Sequence, residues 1–142
     1  MAQDFEGIER GDEIGPWETR LADDDIEEFC VLWGQGPGPT QFTSDDVAHG
    51  LGLPGAIIPG IMQMGLMARL IAEWSDAADL KNLDIIFRQP LPHNRAVKLR
   101  GIVTDTREDG GAGVVEADLF LETDESGTHS TGKAVFTLPR RA

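Results

Sequence analysis

The chain has 142 residues, with 25 Asp and Glu against 12 Lys and Arg, a formal net charge of −13. That length suits one domain spanning 1–142 and buries roughly two thirds of the unfolded surface, enough for a real core. The acid excess argues against a nucleic-acid partner, whose phosphates draw clustered Lys and Arg, and a single cysteine, Cys30, leaves no internal disulfide to form.

Residues 1–17 read as a polar lead-in, and WETRLA (17–22) as a short strand. The N-terminus has no basic region followed by an apolar one, so no signal peptide is expected and the chain is placed in the cytoplasm. Asp23, Asp24 and Asp25 then supply cap oxygens and favourable charge for a helix start. Ile26, Phe29, Cys30 and Trp33 follow at three and four spacing, the apolar stripe of an amphipathic helix, and Gly34 ends it. Cys30 on that stripe reads as a small buried hydrophobe, with no base beside it to make it reactive.

A Gly/Pro loop, WGQGPGPTQF (33–42), comes next. It has the composition of a loop that brings backbone close to a ligand, yet it holds no acid, base or strong nucleophile. TSDDVAHG (43–50) predicts one short helical turn capped by Thr43 or Ser44. A long helix is predicted from Pro59 to Trp74, with proline in its first turn. Ile61, Met62, Met64, Leu66, Met67, Leu70 and Ile71 make it apolar nearly all round, so it should be buried on most sides. The methionines read as core rather than as an acyl tunnel. The longest apolar run, Ala56 to Ala72, is broken by Pro59, Gln63 and Arg69 and predicts no membrane span.

The second half alternates with period two over four segments: Leu83 to Phe87, Val97 to Val103, 113–123 and 130–138. EDGG (108–111) and DESG (124–127) are joints of hairpin length, so the later strands form an antiparallel meander. No helical crossover follows residue 75, which excludes a parallel sheet. The expectation is an α+β hotdog fold, a long central helix wrapped by a curved antiparallel sheet.

Taken in this order, the chain resembles the MaoC-like hydratases and dehydratases, hotdog enzymes that add or remove water at an enoyl thioester. The likeness spans the leading helix ending near Trp33, the loop, the small helix, the glycine-opened long helix and the strand end LDIIFRQPLPHN. In that family the loop reads Asp-x-Asn-Pro-x-His-x-Asp; its Asp and His activate water, and the helix-opening glycine gives its N–H to the thioester carbonyl. Here the loop reads GPGPTQFT. Pro39 matches, Gly38 stands at the Asn position, Gly36 at the Asp, Gln41 at the His and Thr43 at the second Asp. Of the later His-Gly pair, Pro59-Gly60 keeps only the glycine.

Gly36 has no side chain, and a Gln41 carboxamide can hydrogen-bond but cannot exchange protons near neutral pH. General acid–base help is worth about 100- to 10,000-fold, so little hydratase activity of the family type is expected. Thioester binding by Gly38, Pro39, Gln41, Thr43, Gly60 and Ile61 is what the resemblance leaves. The first reading is therefore a subunit that binds an acyl-CoA or acyl-carrier-protein thioester. It would act as a homodimer or as a hetero-oligomer with a catalytic hotdog subunit. The second is altered chemistry through Gln41, Thr43, Asp45 or His49, since one helical turn sets Asp45 and His49 on the same side. The third is a non-catalytic scaffold. His93 and His129 read as surface histidines. No metal-ligand spacing links the histidines, and neither a metal nor a cofactor is expected. Arg88, Arg95, Lys98 and Arg100 form the basic group available for CoA phosphates.

Overall fold

The computed structural model describes residues 4–34 and 38–140. A 3-10 turn at Phe5–Gly7 leads into β1 (Glu13–Arg20), followed by α1 (Asp23–Trp33), α2 (Asp45–Gly50) and α3 (Gly60–Trp74). Four strands complete the chain: β2 (Asp79–Phe87), β3 (Ala96–Asp109), β4 (Ala112–Thr123) and β5 (Gly127–Pro139). All pairings are antiparallel, in the order β1-β3-β4-β5-β2. Among the described residues no helix is long and apolar enough to cross a membrane.

The meander closes through two local turns. Gly110 and Gly111 join β3 to β4 with φ of 56° and 86°, the double left-handed geometry of a tight hairpin. Asp124 to Ser126 join β4 to β5, and Gly127 (φ 70°) re-enters the strand. Along each strand one set of side chains turns inward: Val97, Leu99 and Val103 on β3, Ala117, Leu119 and Leu121 on β4, Ala134, Phe136 and Leu138 on β5. Helix α3 lies on that face and adds Leu66, Met67, Leu70 and Ile71 to one core cluster.

Gly34 does end α1: its φ is 87°, and its N–H reaches back to the carbonyls of Cys30 and Val31. Ser44 caps α2, accepting from the Val47 N–H at 3.3 Å. Three expectations need correction. The segment before Trp17 is not a polar lead-in, because Phe5, Ile8 and Ile14 are buried and β1 begins at Glu13. Pro59 is the N-cap of α3 rather than a residue of its first turn. The helix is also not enclosed on most sides: the sheet covers one face, and Ile61 stays 47% exposed.

Candidate functional site

The N-terminus of α3 faces a cleft of about 470 Å³. Ile57 and Ile58 form one wall, with Gly60 and Gln63 of the helix. The opposite wall is the end of β2 and the strap after it, Phe87 to Leu91. The N–H groups of Gly60 and Ile61, in the first turn, have no helix carbonyl to bond, and the helix dipole is positive there. A β-carbon on Gly60 would lie 2.7 Å from the Phe87 ring. Glycine at this position therefore lets an aromatic ring close over the helix start.

Arg88 is the one ionisable side chain in the lining; the rest are apolar, glycine or carboxamide. Two histidines stand just behind the walls, and both correct the expectation that they sit on the surface. His129 is 1% exposed. Its Nδ1 donates to the Pro90 carbonyl at 2.9 Å, which leaves Nε2 to accept from the Thr123 hydroxyl at 2.8 Å. Its own carbonyl accepts the N–H groups of Arg88 and Gln89. The turn position of His129 is thus an inward one, pinning the strap 88–91 to β5. His93 is tied between Asp23 (2.8 Å) and the carbonyl of Ile57 (3.2 Å), joining α1 to the other wall. That bond and one from Asn94 hold the Asp23 carboxyl below its ordinary value.

Residues of the 38–44 loop lie beside the cleft rather than in its lining. The carbonyl of Gln41 accepts the N–H of Ile57 at 3.1 Å, which fastens the loop to the segment opening α3. Thr43 Oγ1 accepts the Thr40 N–H at 3.1 Å. Gly38 (φ 113°) and Pro39 are exposed, as is Ile61. Gly36 lies outside the described residues. Asp45 and His49 share α2 but engage different partners: Asp45 accepts the Ala56 N–H at 2.8 Å, and His49 Nε2 donates to the Pro54 carbonyl at 3.1 Å.

Of the basic group, Arg100 is bound to Glu122 at 2.8 Å and lies over the Phe120 ring on the outer face of the sheet. Arg88 reaches Thr131 on that same face at 3.2 Å. Arg95 lines a separate polar hollow of about 260 Å³ with Asp23, Asp45 and His93. A third hollow, also about 260 Å³, opens on the outer face beside Ile86, Phe120 and Lys133. Among the described residues no three His, Cys, Asp or Glu side chains are grouped to hold a metal ion. Sequence reasoning missed Gln63 and Phe87. Gln63 falls in register with Leu66, Met67, Leu70 and Ile71, and that inward phase was the available signal.

This arrangement has clear structural relatives. The (R)-hydratase from A. caviae involved in PHA biosynthesis superposes with a TM-score of 0.78 at 19% identity, over 94% of this chain and 98% of the other. The MaoC-like dehydratase from Rhodospirillum rubrum gives 0.86 at 12% identity, over 99% of each chain. The fold is the hotdog fold of the MaoC-like dehydratases and (R)-hydratases. The ChsH1–ChsH2 complex from Mycobacterium tuberculosis contains a hotdog chain similar at 0.79 and 16% identity, over 92% of this chain and 98% of that one. Neither a protein-family model nor a curated protein sequence matches the chain.

Proposed function

We propose that this chain binds an acyl thioester, on CoA or acyl carrier protein, in the cleft at the start of α3, has no acid–base pair of its own, and works beside a catalytic hotdog subunit. The observation that carries this reading is the make-up of the cleft. It joins the first-turn N–H groups of α3 to largely apolar walls, with Arg88 at the rim. A thioester carbonyl set against the N–H groups of Gly60 and Ile61 sits at the positive end of the helix dipole. Arg88, at the rim of the cleft with its side chain bonded to Thr131 on the outer face of the sheet, is the cation available there for the phosphates of a carrier.

The resemblance places proton transfer at Gly36 and Gln41, and neither can perform it. Gln41 and Thr43 act here on the loop, holding it to Ile57 and to Thr40. The partner reading is supported by the free edge of β2, where Ile86 and Phe87 are 58% and 50% exposed. An unpaired strand edge is a template for another sheet, and the similar Mycobacterium tuberculosis structure is of a two-component complex.

The test is thermal unfolding of the purified chain with butyryl-CoA in excess. A ligand that binds only the folded state raises the midpoint with concentration. A rise with butyryl-CoA and none with free CoA is the expected result. No response to any acyl-CoA, alone or with a co-purified partner, would leave the scaffold reading in its place.

A further inference from the structure

Ile57 stands in two walls at once, that of the cleft at the start of α3 and that of the polar hollow lined by Asp23, Asp45, His93 and Arg95. Its N–H is held by the Gln41 carbonyl at 3.1 Å. Its own carbonyl faces His93. The cleft wall is thus strung between the 38–44 loop on one side and an imidazole on the other.

The His93 side chain is 8% exposed, and both of its ring nitrogens are engaged. Nδ1 lies 2.8 Å from Asp23 Oδ1, and Nε2 lies 3.2 Å from the Ile57 carbonyl oxygen. Neither oxygen has a proton to give. One belongs to a carbonyl; the other belongs to a carboxyl held below its ordinary value by the bonds from His93 and Asn94. A neutral imidazole has one N–H and one lone pair, and only the imidazolium donates from both nitrogens. The two bonds therefore stand together only on the charged ring.

Removing one proton forces a choice. The bond to Asp23 is the shorter and ends on a charge, so Nδ1 keeps its hydrogen. Nε2 then turns a lone pair on the Ile57 carbonyl, and the wall residue is repelled where it was held. The charged neighbours do not take over. Asp23 of α1 and Asp45 of α2 are acceptors, and Asp45 is taken by the Ala56 N–H. Arg95 is the fixed cation of the hollow, and Arg20 of β1 donates to the Asn94 carbonyl. Carboxylates and guanidinium groups keep their charge between about pH 6 and 8, so the ring is the group here whose charge changes.

We propose that His93 is a proton-operated latch on the cleft: its charged form holds Ile57 in the wall and the acyl thioester in place, and loss of the proton loosens the wall and releases the ester. The inference rests on the thioester reading above and adds the condition under which that site closes. Both bonds belong to the charged form, so the latch is shut in mild acid. It opens as pH rises through the range in which an imidazole gives up its proton, about 5 to 8. The coupling is reciprocal: an ester that favours the closed wall favours the proton on His93.

The experiment follows the isotope-labelled full chain by NMR between about pH 6 and 8 and measures its affinity for butyryl-CoA at both ends by calorimetry. The His93 ring and the Ile57 carbonyl carbon should titrate with one midpoint, a readout that needs no substitution. Butyryl-CoA should bind about tenfold more tightly at the acid end. His93→Gln, which donates without titrating, and His93→Phe, which keeps a ring without a donor, should each lose most of that difference, leaving only what the ester's own phosphates contribute. An Ile57 carbonyl indifferent to the ring's titration, an affinity in wild type that does not change with pH, or a change that survives both substitutions overturns this inference and leaves the thioester reading standing. Failure of butyryl-CoA to bind at either pH overturns both.

Discussion

The sulfur of Met67 on α3 occupies the space that a side chain at position 132 would fill, 2.8 Å from the ideal β-carbon of Gly132 on β5. The helix approaches the sheet this closely because the strand is bare at that point. Gly132→Val should overpack the contact and lower stability by about 1–3 kcal/mol in urea denaturation. Combining it with Met67→Ala should restore part of the second variant's loss, because the two sites couple. Simple additivity of the two losses would contradict this packing.

His129 joins strand to strap through bonds on both ring nitrogens. His129→Ala removes the ring from a buried site, takes the ring donor from the Pro90 carbonyl and leaves the Thr123 hydroxyl with the Ser126 N–H alone. A loss of about 2–4 kcal/mol is expected, with faster amide exchange at Arg88 and Gln89. Loss of stability with unchanged exchange at those two amides would mean that His129 does not hold the strap.

The pair Arg100–Glu122 makes a pH-dependent contribution whose sign is fixed. Its hydrogen bond from Arg100 lowers the Glu122 carboxyl below its ordinary 4.5. A carboxylate depressed on folding adds stability that is fully present above the unfolded value and is lost as pH falls through the folded one. Wild type should therefore exceed Glu122→Gln in unfolding free energy at neutral pH. The gap should close only at pH below 4.5. A gap that persists unchanged into strong acid would contradict the assignment.

Burial in the core raises the Cys30 thiol above its ordinary value. Only the thiolate attacks disulfide reagents. Folded protein at mildly alkaline pH should react slowly with an aromatic disulfide, and unfolding in urea should release one thiol at the rate of free cysteine. Rapid labelling of the folded chain would place Cys30 at the surface.

What the sequence made legible were the elements with an uninterrupted period. The α1 stripe and its Gly34 stop, the inward phase of α3 and the β3–β4–β5 meander each depend on neighbours within a turn or a hairpin. Of β1 only the part from Trp17 was read as a strand, and its first half escaped because the alternation is broken. The register slips between Ile14 and Trp17, so the buried Ile14 and the Trp17 packed on the core fall out of step. The histidines escaped for another reason: their partners are remote in the chain, 39 residues away for His129 and Pro90, 70 for His93 and Asp23. Gln63 was visible as an interruption in an apolar run, in phase with the inward residues of α3. That its Oε1 is buried without a partner among the described residues is a property of the packed helix and sheet, and no local pattern encodes it.

The central claim concerns proton transfer, and the most direct measurement is the rate at which the purified chain hydrates crotonyl-CoA. The account predicts no turnover above background from wild type. Turnover by the isolated wild-type chain at a rate ordinary for an enoyl-thioester hydratase would contradict it.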